Sequence, residues 1–191
     1  MNKNEKILQS LKDKIVQTDD NNLFLKVIKT DEVSEDYVNW LSDYEVVKFT
    51  DQKYVEQTRE RVELFVEEQF FSINSILYGI FWKQKHIGNI KLGPIDFNNK
   101  VGEISYFIGN LDLWGFGIAT KSIKAIVSIA FNEVDLEKVT AGCYSINIAS
   151  KKVLENNGFE LEGTRKKHSI FEGKRVDSLV YGLIRSDYKE K

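Results

Sequence analysis

A chain of 191 residues, 42% hydrophobic and 29% charged, has the size and mix of one soluble globular domain, and its twelve Phe, eight Tyr and three Trp exclude disorder as the main state. The 27 basic and 29 acidic residues leave a net charge of −2, which excludes a generic nucleic-acid binder with its net basic face. A single cysteine, Cys143, excludes an intrachain disulfide and a thiolate zinc cage, and with only two histidines, His86 and His168, no metal is expected.

In chain order, residues 5–16 place Ile7, Leu8, Leu11, Ile15 and Val16 at helical spacing. They predict an amphipathic helix lying on the domain or on a partner, a homodimer mate included, followed by a polar linker over 17–22. This N-terminus lacks the apolar core and cleavage site of a secretion signal, and no run approaches the roughly 18 apolar residues of a membrane span. A reducing cytoplasm is the expected location, with neither membrane nor nucleic acid as partner. Residues 23–29 read as a first strand. Ser34 opens a short helix with Tyr37, Trp40 and Leu41, and 58–71 a longer one with Val62, Phe65, Val66 and Phe70 on one face. Strands at 76–82, 86–92 and 101–108 are joined by short links, hence antiparallel hairpins, with Pro94 in the second link. A helix from Gly117, a strand at 138–144, a helix at 148–156 stopped by Gly158, and strands at 159–163 and 177–184 about the turn 172–174 complete the chain. The sum is an α/β (α+β) fold: a mixed, mostly antiparallel central sheet of about seven strands flanked by helices. Residues 1–22 form an N-terminal helix and linker, and 23–191 a single domain.

Residues 101–120, VGEISYFIGNLDLWGFGIAT, carry the most chemistry. A strand ends, a loop with Gly115 and Gly117 follows, and a long helix begins. A helix N-terminus leaves N–H groups unpaired and carries about half a positive charge, and glycines let an oxygen approach without striking a Cβ. This predicts an anion cradle that fits a pyrophosphate; the bland alternative is a turn needing two flexible residues. It is neither a dinucleotide fingerprint, lacking the third glycine, nor a P-loop, lacking Gly-Lys-Ser/Thr. A second stretch, residues 147–159, NIASKKVLENNGF, follows directly after a strand.

Together, in this order and spacing, the two stretches resemble the GCN5-related N-acetyltransferase (GNAT) superfamily. Its pyrophosphate loop, Gln/Arg-x-x-Gly-x-Gly/Ala, is answered by Asp112, Gly115 and Gly117. Asp112 departs from the pattern and leaves the anion to the backbone amides of Trp114, Gly115, Phe116, Gly117, Ile118, Ala119 and Thr120. More narrowly, WGFGIAT, AGCYSINIASKKVLENNGF, ELEG and VDSLVYGLI resemble the branch of ribosomal-protein N-terminal acetyltransferases, over roughly residues 23–188. The resemblance implies a GNAT-like fold with acetyl-CoA as co-substrate and no metal. It implies transfer of the acetyl group, by direct attack in a ternary complex, to a primary amine. That amine belongs to a small molecule, such as a nucleotide-linked amino sugar, or to a protein N-terminus. It further implies that the backbone N–H groups of Phe107, Ile108 and Gly109 hold the pantetheine, one of them polarising the thioester carbonyl. A non-catalytic acyl-CoA sensor or scaffold is the alternative, because the loop Gln/Arg is altered and Leu154 stands where many members have a tyrosine acid.

Four side chains are candidates for the chemistry. Glu103 shares a strand face with Phe107 and could draw the proton from the acceptor ammonium, or be a plain surface carboxylate. Ser150, three after Asn147 as in the ribosomal-protein branch, could supply or relay the thiolate's proton, or merely satisfy a backbone amide. Tyr144 is an alternative donor, or a strand aromatic packed sideways. His168 could replace the carboxylate that this branch can use near residue 169. It belongs to the basic run 165–168, with Lys174 and Arg175 across the turn: either a phosphate-attracting rim or a solvated hairpin. Asn147 is expected to contact coenzyme A or to order the strand–helix corner, and Cys143 to be a buried small residue. The acceptor pocket is expected from 23–71 and the 165–177 hairpin, with aromatics such as Trp40, Tyr44, Phe49, Tyr54, Phe70 and Phe71 available as its floor.

Overall fold

The structure, a computed structural model, describes residues 3–188; residues 1–2 and 189–191 of the two expected segments lie outside them. Helix α1 (Lys3–Leu11) buries Leu8 and Leu11. It ends earlier than the periodicity predicts. Lys12-Asp13-Lys14 turns the chain, Ile15 is exposed, and Val16 enters a two-residue strand β1 (Val16–Gln17) paired with β2 (Leu23–Val27). β-Branched residues with a strand partner in reach favour the sheet. The expected linker is therefore a hairpin turn, closed by Thr18 Oγ1 donating to Leu23 O at 2.8 Å.

Ser34 caps α2 (Glu35–Ser42), accepting from Tyr37 N at 3.1 Å. A short helix α3 (Tyr44–Val47) and a 3-10 turn (Asp51–Tyr54) lead to α4 (Arg59–Phe71), capped by Thr58. β3 (Ile76–Trp82), β4 (Lys85–Asp96) and β5 (Val101–Ile108) form the expected hairpins. β4 overruns its predicted end because a register shift between Leu92 and Ile95 carries the strand past Pro94, whose missing N–H falls outside the ladder. α5 (Ile118–Ser128), extended by one π turn, β6 (Lys138–Tyr144) and α6 (Ile148–Asn156) precede β7 (Glu160–Phe171) and β8 (Lys174–Ile184). β7 runs well beyond the predicted end at Gly163. It is the outer edge of the sheet and exposed along most of its length, so it shows no alternation to read.

The sheet has eight strands in the order β1-β2-β3-β4-β5-β6-β8-β7, β1 being the addition to the expected set. Every neighbouring pair is antiparallel except β5 and β6. These run parallel only through Val101–Lys138, Gly102–Val139 and Glu103–Thr140, and then part. α1 and α5, with Leu154 of α6, cover one face over the main core; α2, α3 and α4 cover a smaller core on the other. Lys121 and Lys124 of α5 hold the β1–β2 turn through Asp20 and Asp19 at 2.9 and 3.0 Å. His86 lies among Tyr37, Trp40 and Phe81, its Nε2 within 2.9 Å of both Gly88 O and Asn89 Oδ1, and burial holds its pKa below the usual value. It is a packing group. Among the described residues no helix is long and apolar enough to cross a membrane, and no group of three His, Cys, Asp or Glu side chains is placed to hold a metal ion.

Candidate active site

Beyond Glu103, β6 keeps β8 and β5 keeps β4, so the edges that face each other across the gap have no strand partner. Gly109 N–H donates to Ile87 O at 2.8 Å, which turns Gly109 towards β4; ladder alternation turns Phe107 the same way. Tyr106 and Ile108 therefore present their amides to the gap. Of the three amides expected to hold the pantetheine, only that of Ile108 faces the gap. Gly109 has another reason to be glycine: a Cβ there would lie 2.0 Å from the Trp40 ring.

At the end of the gap, Gly115 and Gly117 sit at φ +84° and +76°, and Gly117 precedes the first turn of α5 with no capping side chain. A Cβ at either would meet nothing within 4 Å, so conformation rather than packing asks for glycine. The Trp114 N–H is taken by Leu111 O at 3.1 Å and its indole N–H by Ile108 O at 2.9 Å; Trp114 closes the loop and, contrary to expectation, offers no amide. The amides of Gly115, Phe116, Gly117, Ile118, Ala119 and Thr120 have no hydrogen-bond partner among the described residues. Six unpaired donors at a helix N-terminus fit a diphosphate without help from Asp112.

Side chains alternate along β5, so Tyr106 projects towards the main core while Glu103 and Phe107 face the other way. The Tyr106 hydroxyl lies 2.8 Å from Ser150 Oγ, and Asn147 caps α6 by accepting from Ser150 N at 3.1 Å. Asn147 orders the strand–helix corner. Cys143 is buried beside Ser150, and burial pushes its thiol pKa up, away from reactivity. The sequence reading missed Tyr106, although the alternation that paired Glu103 with Phe107 also points Tyr106 at the helix carrying Ser150. Burial pushes the Tyr106 phenol up to about 12, well above the roughly 8.5 of an ordinary thiol. One of the two hydroxyls donates to the other, leaving one O–H for an anion in the gap. Such a pair stabilises a thiolate by hydrogen bonding rather than by surrendering a proton. Tyr106→Phe is expected to lower turnover roughly tenfold, the worth of one charge-assisted hydrogen bond, with coenzyme affinity unchanged. Steady-state kinetics beside calorimetry check this, and wild-type turnover would reduce the pair to a structural contact.

On the opposite face a cavity of about 700 Å³ is lined by Glu103, Tyr144 and His168 together with Asp51, Arg165 and Arg175. Three of the four catalytic candidates thus meet in one space, and Ser150 lies across the sheet from them. Glu103 belongs to the last β5–β6 pair and is exposed, and its carboxylate has no hydrogen bond or ion pair among the described residues. His168 reaches the cavity because β7 shifts register between Arg165 and Ser169: Lys167 takes φ +51° and donates its N–H to Asp177 Oδ1 at 2.7 Å. Tyr144 is held in the wall. Lys53 Nζ donates to its hydroxyl at 3.3 Å and lies 4.7 Å from its ring centre, and Phe49 packs edge-on against it. The same ammonium donates to Lys48 O and Ile170 O at 3.0 and 3.2 Å, tying the 3-10 turn to β7. No sequence pattern pointed to Lys53. Of the aromatics expected as a floor, Phe49 and Tyr54 line this cavity, Trp40 covers Gly109, and Phe71 stands elsewhere on the surface.

The profile of the Acetyltransferase (GNAT) domain matches residues 22–160. The probable N-acetyltransferase YjcK of Bacillus subtilis (strain 168) is 27% identical over 152 residues, 78% of this chain and 83% of its own. A RimL ribosomal L7/L12 alpha-N-protein acetyltransferase in complex with coenzyme A shares the fold at a TM-score of 0.81 and 22% identity, over 90% of this chain and 98% of that one. The microcin C7 self-immunity acetyltransferase MccE, in complex with acetyl-CoA and AMP, does so at 0.75 and 20%, over 86% and 93%. The profile runs from the start of β2 to the first residue of β7 and so takes in the gap, the glycine loop and both flanking helices. The chain belongs to the GNAT family of N-acetyltransferases.

Proposed function

We propose that the protein transfers the acetyl group of acetyl-CoA to the primary amine of a small acceptor that also carries negative charge, such as a nucleotide-linked amino sugar. One observation carries this reading: a single cavity at the foot of the gap is lined by an unpaired carboxylate, Glu103, by the exposed Asp51, and by three basic side chains, Arg165, His168 and Arg175. An acceptor that is cationic at its amine and anionic elsewhere matches both signs. The MccE neighbour, in complex with both acetyl-CoA and AMP, supports a nucleotide-bearing acceptor, whereas RimL by its name acts on a protein N-terminus.

In this reading the amides of residues 115–120 bind the diphosphate, and those of Tyr106 and Ile108 hold the pantetheine and polarise the thioester carbonyl. Glu103 takes the proton of the acceptor ammonium, directly or through water. The neutral amine then attacks the carbonyl carbon in a ternary complex, and the thiolate leaves towards the Tyr106–Ser150 hydroxyls.

Thiol release from acetyl-CoA with panels of amines tests the assignment. Nucleotide-linked amino sugars should turn over faster than neutral amines of similar size and faster than peptides with free N-termini. Arg165→Gln and Arg175→Gln should each raise the acceptor KM by roughly tenfold, the worth of one charge-assisted hydrogen bond, without moving coenzyme affinity. Equal rates for neutral amines would overturn the anionic acceptor. Coenzyme binding with transfer to no amine would make the protein a sensor.

A further inference from the structure

A second cavity, of about 650 Å³, lies on the same face as the first and is bounded by α2, α4, β4 and β5. The two cavities share Thr50 and flank one strand: Glu103 lines the first, and Ser105, Tyr106 and Phe107 line the second. Residues 50–55, the turn that Lys53 ties down, form the partition, with Asp51 and Tyr54 on one side and Gln52 and Val55 on the other. Their linings differ in kind. The first holds charges of both signs around Glu103; the second is walled mainly by Leu41, Val55, Val62, Leu64, Phe65 and Leu77, with Asn89 and Lys91 of β4 and the exposed Arg61 and Glu68 also bordering it.

Resting on the coenzyme placement above, we infer that this second cavity is an acyl-chain pocket, and that the enzyme accepts short unbranched acyl groups longer than acetyl. A thioester carbonyl held by the Tyr106 and Ile108 amides puts its acyl carbon beside Ser105 and Phe107, where the apolar space begins. The amine needs the charged cavity for its ammonium and its anion, so the acyl substituent is what remains for the apolar one. No step of the transfer changes: the thioester C–S bond breaks, the C–N amide bond forms, the acceptor's proton goes to Glu103, and the coenzyme leaves as thiolate.

The test is calorimetric titration of the full chain with coenzyme A, acetyl-CoA, propionyl-CoA, butyryl-CoA and hexanoyl-CoA. Each methylene buried in a dry pocket should tighten Kd by up to roughly fourfold, until the chain outgrows the space. Leu64→Trp and Val55→Trp fill the pocket from a surface helix and a surface turn, and neither removes a buried polar group. Both should abolish the gain for butyryl-CoA and hexanoyl-CoA while leaving acetyl-CoA affinity as it was. Longer thioesters that bind no better than acetyl-CoA, or a gain that survives both substitutions, overturn the acyl pocket while binding of coenzyme A itself upholds the coenzyme site. A chain that binds coenzyme A in no form would end both readings.

Discussion

Gly117→Glu is expected to raise the Kd for coenzyme A by more than about a hundredfold. Gly117 sits at φ +76° immediately before α5, and its amide is one of six with no partner among the described residues. A residue with a Cβ in this left-handed conformation is strained by roughly 1–2 kcal/mol. The backbone can relieve that strain only by turning the amides away from the anion. The added carboxylate also brings negative charge to the spot where a diphosphate would lie, and 1.4 kcal/mol is already a factor of ten. The added Cβ meets nothing within 4 Å, so the chain should still fold. Gly117→Ala carries the strain without the charge and should weaken binding about tenfold. Calorimetry on both variants separates the two contributions, and full binding by Gly117→Glu would place the coenzyme elsewhere.

The glycine loop is legible in the sequence because its physics is local. Two glycines before a periodic helix imply free amides whatever surrounds them, and the structure leaves those of Gly115 to Thr120 without partners. The direction of a backbone amide is a matter of register, and register is set by a partner strand that the segment itself does not reveal. The family resemblance implies Gly109 as a pantetheine donor, whereas in the fold Ile87 O holds its N–H. The same limit hides the β7 extension. Its residues 164–168 lie on an outer edge where no core dictates alternation, so a strand reads as a basic hairpin. Tyr106 is intermediate: alternation fixes its face, but only the packing of α6 brings Ser150 within 2.8 Å of it.

The charged cavity and the hydroxyl pair lie on opposite sides of one sheet, and the β5–β6 gap is what joins them. In the proposed mechanism the proton would leave the acceptor on the Glu103 side and negative charge would appear on sulfur on the Tyr106 side, so base and thiolate stabiliser would be separate groups. A substitution on one side should leave the other side's contribution intact, so Glu103→Gln and Tyr106→Phe should be additive in transition-state free energy.

Glu103→Gln is expected to lower kcat by roughly a hundredfold to ten-thousandfold, the span typical of a general base, with coenzyme Kd unchanged. Glu103 is exposed and its carboxylate has no hydrogen bond or ion pair among the described residues, so the amide replaces it without breaking a contact, and stability should move by less than about 0.5 kcal/mol. The variant should recover part of its rate at high pH, where the acceptor amine is already neutral and needs no base. His168→Gln is the comparison, since His168 lines the same cavity. If His168 were the base, its substitution would lower kcat by that span and Glu103→Gln would leave kcat intact, which would take Glu103 out of the mechanism.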